Sequence, residues 1–195
     1  MTSSDADIPH GGDVALVTAA LAGDEGAYMA IVEAHQPMVA RLMWRFTTDP
    51  LKLEELVHDT FVQAYFSLGK YRGTGPLGGW IRTIGVRVGY RHWKEKAREK
   101  NRDELNDQIA RDPGVIHALE ADPEPASAAH QALHAALGQL PPRDRLVLTL
   151  LYWERCSTEE AAKLTGWSGS MVRVQAFRAR KKLKRLLEKL EDGRG

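Results

Sequence analysis

Basic and small hydrogen-bonding side chains share one face of the helix predicted at residues 169–190, and that combination suits contact with DNA. At helical spacing, Ser170, Arg173 and Arg178 lie opposite an apolar stripe. An arginine guanidinium can donate two parallel hydrogen bonds to a guanine edge or to a phosphate. We therefore predict that this face contacts duplex DNA. The candidate contact residues are Ser170, Met171, Arg173, Val174, Phe177 and Arg178.

Two helices around a tight turn must position that face. Ser157 and Glu160 have the spacing of a capping box, Gly166 suits the left-handed residue that ends a helix, and Ser168 can cap the next one. The apolar stripe of the second helix comprises Val172, Ala176, Ala179, Leu183 and Leu186. This layout predicts a helix-turn-helix whose second helix enters the major groove. A solvated helical hairpin is the alternative, because short motifs also match by chance.

A second group of residues mixes aromatic rings with cations. Residues 80–100 interleave Trp80, Tyr90 and Trp93 with arginines and lysines, and a loop with four glycines at residues 72–79 precedes them. Aromatic rings stack on unpaired bases at about 1–3 kcal/mol per base, while cations follow the phosphates. This segment is therefore predicted to hold single-stranded DNA. Its candidate residues are Arg72, Gly73, Thr74, Trp80, Arg82, Arg87, Tyr90 and Arg91. Core packing is the alternative for Trp80, and stacking and burial both remain open for Tyr90 and Trp93.

Charge is distributed in blocks along a chain whose net charge is only +1. Residues 80–102 hold eight basic and two acidic side chains, and residues 170–190 hold eight basic and one acidic. Between them, residues 103–125 hold seven acidic and one basic. Two basic patches separated by an acidic stretch indicate two nucleic-acid contacts joined by a connector that DNA repels.

Cysteine content and the N-terminal sequence argue against a disulfide-bonded, zinc-cluster, secreted or membrane-spanning protein. Cys156 is the only cysteine, which excludes an intramolecular disulfide and a cysteine zinc cluster, and it is predicted to be a small buried side chain. The N-terminus has no basic and apolar signal-peptide pattern, and no apolar run reaches the roughly 18 residues of a membrane span. The expectation is a soluble, cytoplasmic protein without membrane insertion.

Helical periodicity without strand alternation predicts an all-α fold of two small helical domains joined by a flexible acidic linker. Helices are expected from Asp24 to Phe46, with a kink or break at Pro37, from Leu51 to Leu68, and from Trp80 to about Lys100. The predicted divisions are a loose tail at 1–12, a first domain at 13–102, the linker at 103–127 with a short helix near 115–119, and the helix-turn-helix domain at 128–195.

Both constellations, in this order and over nearly the whole chain, resemble bacterial sigma factors of the extracytoplasmic-function type, which consist of regions two and four. Residues 54–61 resemble the region-two segment that docks on the polymerase largest subunit, and residues 71–84 resemble the loop and helix that recognise and melt the minus-ten element. Residues 140–183 resemble region four, which reads the minus-thirty-five element. Arg87 stands where the family often has Asn. His58, Met171 and Val174 also differ from the common residues.

The resemblance implies partners rather than a reaction. Core RNA polymerase would dock on Glu54, Glu55, Asp59 and Gln63, and promoter DNA would be bound both as duplex and as melted strand. Family members are commonly held inactive by an anti-sigma factor, for which Trp153 and Trp167, described as exposed, are candidate apolar contacts, with core packing as the alternative. No cofactor, metal or catalytic residue is expected.

Two other functions are alternatives to this one. A stand-alone helix-turn-helix repressor or activator explains residues 140–190 but leaves the aromatic and basic helix unexplained. An enzyme is disfavoured, because His130 and His134 are one helical turn apart but have no third metal ligand at suitable spacing.

Overall fold

The computed structural model describes residues 10–106 and 136–192, and within these ranges the chain is all-α. The first helices are α1 (His10–Leu21), α2 (Glu25–Met43), α3 (Pro50–Ser67) with a 3₁₀ turn at Leu68–Lys70, and α4 (Leu77–Asn106). They are followed by α5 (Pro142–Leu148) with a π-helical turn at Thr149–Trp153, then α6 (Thr158–Thr165) and α7 (Gly169–Asp192). The predicted fold class is confirmed. The described residues divide into a first unit that ends at Gly89 and a second unit that begins at Tyr90.

Aspartate caps fix the starts of α2 and α3. The Asp24 carboxylate accepts a hydrogen bond from the backbone N–H of Ala27 at 3.1 Å, and the Asp49 carboxylate accepts one from that of Leu51 at 3.0 Å. Each cap satisfies a donor that the first helical turn leaves unpaired. Helix α2 continues through Pro37, so the predicted break is wrong.

The core of the first unit lies between α2, α3 and α4. Ile31, Val39 and Met43 of α2 and Ile81 and Val88 of α4 are all at most 1% exposed. Helix α3 and the 3₁₀ turn bury Phe61, Ala64 and Leu68, as their helical spacing predicts, and the first half of α3 departs from that spacing. Leu56 and Thr60 are buried, whereas Leu53 and Val57 are only half-buried. The hydroxyl of Thr60 is satisfied at full burial because it donates to the carbonyl of Leu56 at 2.7 Å.

A buried carboxylate on α1 caps the start of α4. Asp13 is 6% exposed, and its Oδ2 accepts a hydrogen bond from the backbone N–H of Leu77 at 2.8 Å. The helix therefore starts at Leu77 rather than at Trp80, and only residues 71–76 form the loop. The Tyr71 hydroxyl closes that loop by donating to the carbonyl of Gly75 at 2.7 Å.

Other boundaries also differ from the prediction. Residues 10–12 belong to α1 and residues 103–106 to α4, instead of to the tail and the linker. The predicted short helix at 115–119 and most of the linker lie outside the described residues. No helix within residues 10–106 or 136–192 is both long enough and apolar enough to cross a membrane.

His35 makes the stability of the first unit depend on pH. Its ring packs against Gly78 at the start of α4, where a Cβ would stand 3.3 Å from the ring, and burial lowers its pKa below the ordinary 6.5 despite the opposing charge of Asp13. The unfolded chain therefore takes up a proton that the folded unit resists. We expect the free energy of unfolding to fall as the pH drops below 6.5, by at most about 1.4 kcal/mol per pH unit.

Urea unfolding of the full chain at pH 7.5 and 5.5 measures this effect. His35→Gln should reduce the difference between the two pH values. His58→Gln, at an exposed position of α3, is the matched control. Equal pH dependence in His35→Gln and the wild type would contradict the assignment.

Candidate nucleic-acid interface

The helix-turn-helix forms as its local signals predict. The Ser157 hydroxyl accepts from the backbone N–H of Glu160 at 3.1 Å, and the Glu160 carboxylate accepts from the backbone N–H of Ser157 at 2.7 Å. Gly166 ends α6 with φ 74°, in the left-handed region that favours glycine. The Ser168 hydroxyl then accepts from the backbone N–H of Met171 at 3.2 Å and caps α7. These bonds set the angle at which α7 leaves the turn.

Helix α7 separates a buried stripe from an exposed face. Val172, Ala176 and Ala179 are at most 4% exposed and pack toward α5 and α6. Leu183 and Leu186, farther along the predicted stripe, are half-buried. On the opposite face, the exposed side chains are Ser170, Arg173, Val174, Phe177 and Arg178, with Met171 half-buried beside them. Phe177 is 64% exposed and Val174, one turn before it, is 50% exposed, so two apolar side chains stand together on this face.

A buried carboxylate anchors α7 to α5. Asp144 is 1% exposed, and its Oδ2 accepts a charge-assisted hydrogen bond from Lys182 Nζ at 2.5 Å. Its other oxygen accepts from the side-chain amide of Gln175. The carboxylate thus ties two points of α7, about two turns apart, to one point of α5. Sequence reasoning did not identify this contact, since its partners are more than 30 residues apart.

A groove of about 300 Å³ lies between α5 and the start of α7. Its lining residues are Arg143, Ser170, Met171, Val174, Gln175 and Arg178. The Arg143 guanidinium stands 4.8 Å from the centre of the Trp167 ring, and its Nη2 is 3.7 Å from Met171 Sδ. Trp153 and Trp167 are both half-buried, so the description of them as exposed is wrong.

In the first unit, the predicted strand-binding residues surround the start of α4. Arg72, Thr74 and Arg87 are exposed, while Arg82 and Gly73 are half-buried. Trp80 is also half-buried, with its ring centre 5.8 Å from that of Tyr71. The core stripe of α4 is formed by Ile81, Ile84 and Val88. One face of the Trp80 ring can therefore be shared with the protein, but the side chain is not sealed in the core.

The aromatic residues beyond Gly89 lie in the second unit. Trp93 is 4% exposed, and the Arg145 guanidinium stacks 4.1 Å from its ring centre. Burial lowers the pKa of Arg145 to about 10. Tyr90 is half-buried, with its ring edge-on to Trp167 at 6.3 Å, and Arg91 is exposed. Of the two alternatives for Trp93, burial is the one observed.

An acidic face runs along α3. Of the four residues predicted to dock polymerase, Glu54, Glu55 and Asp59 are exposed and Gln63 is half-buried. Lys52 forms an ion pair with Glu55, whose hydrogen bond raises the pKa of the lysine. Phe66, two turns beyond Asp59, is 80% exposed and was not singled out from the sequence. Its position on the acidic side of an amphipathic helix was the available signal.

Metal-ligating side chains do not cluster in the part of the chain that the structure describes. No group of three His, Cys, Asp or Glu residues there could hold a metal ion. His130 and His134 lie outside the described residues. Cys156 is 7% exposed, which confirms its prediction as a small buried side chain.

Comparison with known proteins gives matches to both halves of the chain. Residues 31–99 match Sigma-70 region 2, and residues 130–183 match Sigma-70, region 4. RNA polymerase sigma-H factor of Pseudomonas aeruginosa is 27% identical, over 91% of this chain and 95% of the relative. ECF RNA polymerase sigma-E factor of Haemophilus influenzae is 25% identical, over 91% and 96%.

One solved structure is similar to this chain over most of its length. CnrH of Cupriavidus metallidurans, determined in complex with the cytosolic domain of CnrY, is 26% identical in sequence and matches with a TM-score of 0.57. The match covers 91% of this chain and 98% of CnrH. Because regions two and four occur here in order, and relatives matched over nearly their full length are sigma factors, the chain belongs to the extracytoplasmic-function sigma factors of RNA polymerase.

Proposed function

We propose that this sigma factor binds core RNA polymerase in the cytoplasm and directs it to a subset of promoters, where it recognises and melts the DNA. The observation that carries the proposal is the capped helix-turn-helix, whose recognition helix exposes Arg173, Phe177 and Arg178 on one face. A solvated hairpin needs no exposed aromatic ring on its basic face. A helix that enters the major groove gains from both the cations and the ring.

The second unit is proposed to read the minus-thirty-five element as duplex. Ser170, Arg173 and Arg178 would contact base edges or phosphates, and Met171, Val174 and Phe177 would offer apolar contact to thymine methyl groups. The caps at Ser157 and Ser168 hold this face at a fixed angle to α6. A rigid recognition helix loses little entropy when it enters the groove.

The start of α4 and the loop before it are proposed to hold the melted minus-ten strand. Exposed Arg72, Thr74 and Arg87 would follow phosphates, with Gly73 and Arg82 beside them, while the half-buried Trp80 ring would stack on a base. Tyr90 and Arg91 were predicted to join this surface. In the structure Tyr90 contacts Trp167, so its part in strand binding requires that this contact is released.

Polymerase is proposed to dock on the acidic face of α3, through Glu54, Glu55, Asp59 and Gln63. Phe66 extends this surface with an apolar side chain that a partner can bury. An anti-sigma factor is proposed to control the protein by covering surfaces that polymerase needs.

Run-off transcription with core RNA polymerase and a library of promoter fragments tests the function. We expect transcripts from a small subset of fragments only when the protein is added. Core polymerase that gives the same transcripts without the protein, or no association between the two in gel filtration, would contradict the proposal. Duplex binding without polymerase association would favour the stand-alone repressor or activator.

A further inference from the structure

We propose that Arg143, which lies on α5 and outside the recognition helix, grips the DNA backbone at the wall of the major groove and fixes the depth of α7. The inference rests on the proposed promoter contact of the second unit. Arg143 is exposed and lines the same groove as Ser170, Val174 and Arg178 from the recognition face. A cation at this place adds a DNA contact that the recognition helix alone does not provide.

Two contacts orient the guanidinium of Arg143 before DNA binds. The Trp167 ring centre lies 4.8 Å away, and Met171 Sδ accepts a weak hydrogen bond from Nη2 at 3.7 Å. A cation–π contact uses the flat face of the guanidinium and leaves in-plane N–H donors available to an anion. Because the side chain is already ordered, less rotamer entropy is lost when a phosphate binds.

The position of Arg143 favours a phosphate over a base edge. In helix-turn-helix proteins the recognition helix reaches the bases and the first helix of the pair crosses the backbone, while α5 here precedes both and packs beside the recognition helix. Arg143 stands at the first turn of α5, on the flank of α7 marked by Met171 and Gln175. The outward-facing side chains of α7 would lie between Arg143 and the base edges at the floor of a bound groove. A contact from this flank meets the phosphates and carries no base preference of its own.

Binding of the polymerase holoenzyme to a promoter fragment selected in the run-off assay tests the proposal. Affinity is measured over a range of salt concentrations for the wild type and for Arg143→Gln. We expect a loss of about threefold to tenfold that is equal for every base substitution in the upstream element, with the salt slope reduced by about one. Arg143→Lys should keep the salt slope and lose less affinity, because it retains charge but not the planar stack on Trp167.

Arg185→Gln is the matched control, since it removes the same charge from an exposed position of α7 outside the groove, about two turns beyond Arg178. It should change affinity and salt slope less than Arg143→Gln does. Unchanged binding by Arg143→Gln, or a loss confined to one base pair, would overturn the role given to Arg143. A wild-type protein that directs no transcription would instead overturn the proposed function itself.

Discussion

Replacing Gly89 with alanine is expected to destabilise the first unit by about 1–2 kcal/mol. Helix α4 crosses Phe46 at this residue so closely that a methyl group on Gly89 would overlap the aromatic ring. Phe46 is itself 3% exposed and cannot move into solvent. Overpacking of this kind costs about 1–3 kcal/mol or more, and the higher helix propensity of alanine recovers about 1 kcal/mol at most. Urea unfolding of the full chain, followed by hydrogen exchange in residues 25–89, measures the loss.

Gly79→Ala provides the matched control in the same helix. Nothing stands within 4 Å of a Cβ at Gly79, so this variant should be neutral or slightly stabilising. A second test uses Phe46→Leu, which is destabilising alone but should cost less in the Gly89→Ala background because it makes room for the methyl group. Additive effects of the two substitutions would show that the close crossing does not limit stability.

The substitution should also affect residues of α4 that are proposed to bind the melted promoter strand. Trp80, Arg82 and Arg87 occupy α4 on the N-terminal side of the crossing, and their direction is set by how the helix seats on α2. If alanine tilts α4 away from Phe46, these side chains move together. We therefore expect Gly89→Ala to reduce promoter melting more than it reduces binding to duplex DNA.

The features predicted well from the sequence are those encoded within a few residues. The capping box at Ser157 and Glu160, the left-handed Gly166 and the Ser168 cap each need partners at most three residues away, and all form as expected. The buried stripe of α7 was also predictable, because its 3.6-residue period is visible without a partner.

The features that were missed depend on contacts between distant residues. Helix α4 begins three residues early because Asp13 caps Leu77 across 64 positions of sequence. The first half of α3 buries Leu56 and Thr60, where the apolar spacing alone favours Leu53 and Val57. Trp93 is buried because Arg145, far along the chain, covers its ring. Apolar periodicity predicts that a helix forms, but it does not predict which element that helix packs against.

Lys182→Met is expected to lower the stability of the second unit by about 3 kcal/mol. Lys182 donates to Asp144, whose side chain is 1% exposed while that of the lysine is 49% exposed. Removal of the lysine leaves a buried carboxylate whose remaining hydrogen-bond donor on the described part of α7 is the Gln175 amide, and an uncompensated buried charge costs about 3–5 kcal/mol. Because water reaches the half-exposed lysine end of the pair, we expect a loss at the lower limit of this range. Chemical unfolding of the full chain, with hydrogen exchange in α7 as the local readout, measures it.

Lys184→Met separates this effect from the loss of one positive charge. Lys184 is 79% exposed and pairs with Glu188 at 3.7 Å on the helix surface, where such pairs contribute about 0.3–0.5 kcal/mol. The decisive comparison adds Asp144→Asn to Lys182→Met, since a neutral amide can stay buried beside Gln175 without a cation. The double variant should be more stable than Lys182→Met alone, because the unpaired charge has been removed. If the second substitution lowers stability further, the carboxylate is stabilised by groups other than Lys182, and the anchoring of the recognition helix must be assigned to its apolar stripe.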